Sequence, residues 1–278
     1  MARWQQLRAE GPPCCGDRDG STPTVPDIDG LKDVPFWTTR GATAAKEVPK
    51  RLVVLGGGVA GVEMAQAFAR LGSAVTLIAR GRLLSSYPEE AANLVSAGLR
   101  ADGVTVHLHT DVDKTEKNDD GSVTVTFDGK TTTADQLLVA SGRHPPALAN
   151  LGLENVGVEA QDGKPPLRLT TEASGLVEGP PASDGTSGLW LYAAGDAAGK
   201  VLLTHQGKYE ARATGDAIVA RANDKLKGTP QPWSPWAQTA NQHAVPSVVF
   251  TDPEVAPWAR AWSRHCCRAR TSPVWNCP

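Results

Sequence analysis

Gly56, Gly58 and Gly61, set between an apolar run and a helical pattern, have the type and spacing to hold a phosphate. In Arg51-Leu-Val-Val-Leu-Gly-Gly-Gly-Val-Ala-Gly-Val-Glu-Met-Ala-Gln-Ala-Phe68, Gly56 permits a tight exit from a strand. Gly58 lets backbone approach a pyrophosphate, and Gly61 lets the helix lie close against the sheet. Val59, Ala60 and Gly61 then open a helix whose unsatisfied N–H groups and positive dipole end face the anion. Glu63 falls just after the glycines, where a carboxylate suits the dipole of any helix. The pattern predicts a dinucleotide-binding turn; a purely structural glycine turn and a methyltransferase-like site are the alternatives. A second clue lies where the next strand ends, at Ile78-Ala-Arg-Gly-Arg82. NAD-binding turns of this kind place an acidic residue there, on the ribose hydroxyls. Two guanidiniums suit a 2′-phosphate instead, through bidentate bonds. NADPH is therefore expected to bind better than NADH, against the plainer reading that Arg80 and Arg82 only solvate a strand exit.

The elements around these residues follow from periodicity. Leu52 to Leu55 is the continuous apolar run of a parallel strand covered on both faces. Met64, Phe68 and Leu71 recur at helical spacing before Gly72, a C′ residue. Ser73–Ile78 reads as a second strand, and Ser86-Tyr-Pro-Glu89 as a capping box opening a helix to about Ala101. Val104–Thr110 alternates as a strand that would put His107 and His109 on one face, as a half-exposed pair rather than metal ligands. Ser122–Phe127 and Lys130–Thr133 form a hairpin through Asp128-Gly129, suited to a type I′ turn. Leu137–Ala140 is a further apolar strand, and Asp224–Pro235 and Gly179–Gly188 read as linker and loop.

A chain of 278 residues with 40% hydrophobic content is long enough for two cores. A net charge of −2 gives no basic field for nucleic acid. With no apolar stretch of membrane length and no signal-peptide core at the start, a cytoplasmic protein is expected. All five cysteines, Cys14, Cys15, Cys266, Cys267 and Cys277, lie near the two ends. The odd count argues against a disulfide framework, and no third ligand accompanies either adjacent pair, so no metal site is expected.

Several segments, taken in order, resemble the pyridine nucleotide-disulfide oxidoreductases. Gly20-Ser-Thr-Pro resembles the end of that family's first FAD segment, and Gly56–Glu63 its NAD(P) turn. Ala134-Asp-Gln-Leu-Leu-Val-Ala-Ser-Gly-Arg-His-Pro145 resembles the turn that returns the chain to the FAD domain, with Ser141 in place of threonine. Leu191-Tyr-Ala-Ala-Gly-Asp196 resembles the second FAD motif, Leu203–Arg212 the helix after it, and Val245–Ala256 the opening strand of the interface domain.

The resemblance implies an α/β fold: a Rossmann-like NAD(P) domain with a parallel sheet and β-meander, a partial FAD domain, and a stub of the α+β dimerisation domain. The implied division is 1–19 unmatched, 20–49 FAD remnant and link, 50–143 NAD(P) domain, 144–239 FAD domain and linker, 240–256 interface start, and 257–278 unmatched. It implies FAD and NADP (or NAD) as cofactors, a small-molecule or disulfide acceptor, and a homodimer whose interface domain is represented only by its opening segment. FAD would meet Arg143, Gly195, Asp196, Leu203, Thr204 and His205; NAD(P) would meet the glycine turn, Glu63, Arg80, Arg82 and Gly142. Asp196 would accept hydrogen bonds from a ribityl hydroxyl and from the next helix, unless it is a plain N-cap. Glu63 would stand near flavin and nicotinamide as the one catalytic carry-over. The family's first G-x-G-x-x-G turn, its Cys-x4-Cys pair, the lysine partner of the glutamate and the C-terminal His-Glu pair have no match here, and His265 has no glutamate at the right spacing. The sequence thus reads as a truncated or mis-framed copy of an FAD-dependent NAD(P)H oxidoreductase. Weak FAD retention and no disulfide turnover are expected of it; a non-catalytic NAD(P)-binding protein is the alternative.

Overall fold

A computed structural model describes residues 21–144, 148, 153, 168–178 and 191–256. The five cysteines, the unmatched ends, Gly20 and the loop 179–188 lie outside the described residues. Ten strands follow in chain order: β1 (Thr22–Pro23), β2 (Phe36–Trp37), β3 (Arg51–Leu55), β4 (Ala74–Ile78), β5 (Thr105–His107), β6 (Val112–Lys117), β7 (Val123–Phe127), β8 (Lys130–Ala134), β9 (Gln136–Val139) and β10 (Arg143–His144). Five α-helices among the described residues are α1 (Thr39–Thr43), α2 (Val59–Arg70), α3 (Glu89–Ala101), α4 (Thr204–Ala222) and the single turn α5 (Ala240–His243). None of the described helices is long and apolar enough to cross a membrane.

The chain divides into two compact units, one of residues 24–142 and 242–278, the other of 1–23 and 143–241. In the first, a parallel sheet has the order β2-β9-β3-β4-β5. Leu52, Val53, Val54 and Leu55 are all buried, as a strand covered on both faces requires. One face packs Leu52, Val54, Leu77 and Leu138 under Val62, Ala65 and Phe68 of α2 and Val95 and Leu99 of α3. The other packs Val53, Leu55 and Leu137 against Val123, Val125 and Phe127 of the antiparallel sheet β6-β7-β8. Asp128 and Gly129 both take positive φ, 48° and 68°, as the type I′ turn expected at the β7–β8 hairpin demands.

Several local expectations are corrected. Residues 24–49 belong to the parallel-sheet unit, because Phe36 and Trp37 pair with Leu137 and Leu138. Leu71 lies on the solvent side of α2, 63% exposed, while Phe68 is buried. Ser86 caps nothing: Pro88 holds the extended N-cap position, so α3 starts at Glu89 without a side-chain cap. Glu89 and Glu90 still place negative charge in its first turn. The strand expected to Thr110 stops at His107, since His109 has φ 52°; the two histidines share no strand face. His107 instead packs on the ring of Phe127, centroids 4.8 Å apart, and burial lowers its pKa. Val249 and Val255 meet in an isolated bridge rather than a strand, with Val249 buried in the core beside α2 and α3.

In the second unit, α4 begins at Thr204 as expected. Leu226, in the stretch read as linker, is buried against Ala217, Ala220 and Trp236. The short antiparallel pair β1–β10 and the core of Leu148, Leu169, Val177, Ala193 and Ala198 lie here as well.

Candidate functional site

Each glycine of the turn after β3 answers a different steric demand. Gly56 has φ 123°, and a Cβ there would overlap the carbonyl oxygen of Ala140. At Gly61 a Cβ would overlap the carbonyl of Gly56, so only glycine lets α2 lie this close to the sheet. Gly58 is the opposite case, with nothing within 4 Å of a built Cβ: its outer face is open to a ligand. Gly58 is also the N-cap of α2 and supplies no side-chain acceptor. The first bond back to the turn is from Val62 N–H to Gly58 at 3.0 Å, and the N–H groups of Val59, Ala60 and Gly61 have no acceptor among the described residues. An open backbone face beside three aligned donors and a positive helix end has the chemistry to hold an anion such as a phosphate.

The return turn after β9 closes the same edge of the sheet. Gly142 takes φ 125°, its carbonyl accepts from Thr24 N–H at 2.9 Å, and Ser141 Oγ donates to the Thr24 carbonyl at 2.8 Å. Arg80, past the end of β4, is exposed and has no partner among the described residues. Arg82 is half-buried and folds back on its own loop: Nη1 donates to the carbonyls of Leu83 and Leu84, and Nη2 to those of Ser85 and Tyr87. The pair expected to act together is thus split, with Arg80 alone presenting a free guanidinium.

Glu63 faces neither donor cluster. Its Oε1 accepts the Phe250 N–H at 2.9 Å, and it lines a cleft of about 520 Å³ together with Gln66, Arg70 and Glu254. Below it, Gln66 exchanges two hydrogen bonds with the Asp252 backbone. Arg70 bridges Asp102 at 2.8 Å and Asp252 at 2.7 Å. The Arg70 guanidinium, with the Gln66 amide behind it, holds the Asp102 carboxyl below the usual carboxylate range.

In the other unit the Gly195–Ala197 3₁₀ turn presents Asp196. Asp196 Oδ2 accepts from Ser21 N–H at 2.7 Å and Ser21 Oγ at 2.9 Å, and Arg143 donates to both the hydroxyl and carbonyl of Ser21. Its other oxygen has no partner among the described residues and remains able to accept a ligand hydroxyl. Asp196 is not the N-cap of α4; Leu203 holds that position, without a side-chain cap, ahead of Thr204 and His205.

A model of the pyridine nucleotide-disulphide oxidoreductase family matches residues 19–211. The chain belongs to this family. Among curated relatives, a mercuric reductase of Acidithiobacillus ferrooxidans is 35% identical over 237 residues, 85% of this chain and 38% of that protein. The mitochondrial dihydrolipoyl dehydrogenase of Dictyostelium discoideum is 33% identical over 84% of this chain and 43% of its own length. Among solved structures, the HOCl-induced flavoprotein disulfide reductase RclA from Escherichia coli is similar, with 28% identity and a TM-score of 0.65. That match covers 85% of this chain and 49% of RclA. The chain therefore spans less than half the length of these members of the pyridine nucleotide-disulphide oxidoreductase family.

Two site-building residues escaped the sequence reading. Glu210, fully buried in the second turn of α4, accepts the Gly195 N–H at 2.6 Å through Oε2 and the Asn241 amide at 2.7 Å through Oε1. Asn241 in turn accepts from buried Gln206. Ser21 is the second, tied to Asp196 across 175 positions of sequence. Both bonds are long-range, and periodicity carries no signal for them. Lys200, close after the same 3₁₀ turn, donates to Gln238 Oε1 and the Glu172 carbonyl, and burial pushes its ammonium below the usual lysine range.

Proposed function

We propose that this chain serves FAD-dependent NADPH oxidation, in which a hydride passes from NADPH to FAD and then to a disulfide or other acceptor. The observation that carries the reading is the open face of Gly58 beside the unpaired N–H groups of Val59, Ala60 and Gly61. That cradle fits a dinucleotide pyrophosphate in shape and in charge. Asp196, with one oxygen on Ser21 and one free, fits a polyol hydroxyl, and the start of α4 at Thr204 and His205 fits an electron-rich ring. Nicotinamide and flavin supply the hydride chemistry when bound; the chain supplies placement and a field that favours negative charge. Glu63 is held by the Phe250 backbone in a separate cleft, and no step is assigned to it. A soluble cytoplasmic setting, and a homodimer if the interface domain is present, go with this reading.

The same proposal assigns the choice between NADPH and NADH to Arg80. Arg80→Ala is expected to weaken NADPH binding at least tenfold, the loss of one charge-assisted contact to phosphate, and to leave NADH unchanged. Titration of both nucleotides into wild type and variant checks this; an equal loss for both would contradict it. The full function is tested by adding NADPH anaerobically to protein mixed with FAD. Bleaching of the flavin faster than in a protein-free mixture is the expected result. A second reading, a nucleotide-binding protein without hydride transfer, is favoured by one observation: the glycine turn, Gly142 and Arg80 all sit in one unit with its own two-sided core. Bound NADPH with no flavin bleaching would select it.

A further inference from the structure

We infer that Arg82 is a positioning residue of the nucleotide site, a clasp that fixes the wall on which the glycine turn rests. The inference depends on the NADPH reading above for its functional consequence, and on geometry alone for the clasp. Arg82 Nη1 donates to the carbonyls of Leu83 and Leu84 at 3.3 and 3.1 Å. Nη2 donates to those of Ser85 and Tyr87 at 2.6 and 2.8 Å. Four carbonyls of a loop with no regular structure are thereby gathered on one planar fork, a task that a lysine ammonium performs less well.

The loop so gathered is strained and buried. Leu84 adopts φ 45°, a conformation that leucine avoids, and Leu83 and Leu84 are each 1% exposed. Its contact with the glycine turn is direct. Leu84 N–H donates to the Gly57 carbonyl at 2.8 Å, and a Cβ on Gly57 would come within 2.9 Å of both Leu83 Cδ2 and Ala79 Cβ. Gly57 precedes Gly58, so a loop released from Arg82 moves the residue next to the open face of the cradle. Preorganisation of this kind raises affinity without any contact to the ligand. It also separates the two arginines: Arg80 discriminates between nucleotides, and Arg82 supports both alike.

The experiment compares R82A, R82K and R80A with wild type by nucleotide titration and by hydrogen exchange of the Leu84 and Leu138 amides. R82A is expected to weaken NADPH and NADH by the same factor, on the order of tenfold, with their ratio kept. The Leu84 amide should exchange faster while Leu138, on the inner strand β9 of the sheet, stays protected and shows that the unit is folded. R82K should fall between, and it carries the comparison if R82A does not fold. A loss confined to NADPH would make Arg82 a phosphate ligand and overturn the proposal, as would unchanged affinities or an unchanged Leu84 amide. If wild type binds neither nucleotide, the NADPH reading fails separately; the clasp then stands or falls on Leu84 exchange alone.

Discussion

Replacing Gly61 by valine is expected to unfold the parallel-sheet unit, whereas Gly58→Ala should leave it folded and weaken the nucleotide binding proposed for it. A side chain at 61 would overlap the Gly56 carbonyl, which is backbone of the turn that also packs against the Ala140 carbonyl. Neither can give way without lifting α2 from β3, and with it Val62, Ala65 and Phe68 from the core. The cost is placed at about 3 kcal/mol or more, the upper range for overpacking, which is a large share of the stability of a domain this size. At Gly58 the backbone is extended, at φ −76° and ψ −179°, and the space is open, so alanine fits without strain. Stability there should change by less than about 0.5 kcal/mol, while the methyl group occupies the approach to the N–H groups and lowers nucleotide affinity on the order of tenfold or more. Urea denaturation with parallel titrations distinguishes the pair. A stable, nucleotide-binding Gly61→Val would show that the helix does not need this close approach.

The second large effect belongs to Glu210. This carboxylate is fully buried, and its two oxygens satisfy the Gly195 N–H and the Asn241 amide. Glu210→Ala strands both donors and leaves a void under α4. About 3 kcal/mol of destabilisation is expected, from the loss of two bonds to a charged acceptor and the burial of unpaired donors. Glu210→Gln keeps one good acceptor and should lose roughly half as much. Denaturation curves for the two variants, with exchange of the Gly195 amide as the local reading, check the claim. A loss below about 1 kcal/mol for the alanine variant would mean that water replaces the carboxylate and that Asp196 is held by Ser21 alone.

What could be read from the sequence was whatever a few neighbouring residues determine. Three glycines at fixed spacing impose their own turn, and Asp128-Gly129 imposes its own hairpin, so both stand where they were expected. The covered parallel strand followed from the all-apolar run Leu52 to Leu55, while the wider fold class rested on the family resemblance of several segments taken in order. β6 was missed because it lies at a sheet edge and buries only Thr115 of six residues, leaving a charged pattern that mimics a loop. Pro88 defeated the capping box by holding its own φ near −54° and an extended ψ. Side-chain direction was not legible at all: Arg80 and Arg82 are indistinguishable as letters, yet one faces solvent and the other turns back on four carbonyls. The same holds for Ser21 with Asp196 and Glu210 with Gly195, whose partners are brought together only by the folded chain.

Calorimetric titration of the intact chain with NADPH, and separately with NADH, bears most directly on the claim that the glycine turn is a working dinucleotide site. One NADPH per chain, bound about tenfold or more tightly than NADH and lost in Gly58→Ala, is the result expected from the open face of Gly58 and the free guanidinium of Arg80. Absence of binding, or NADH bound as tightly as NADPH, would contradict it.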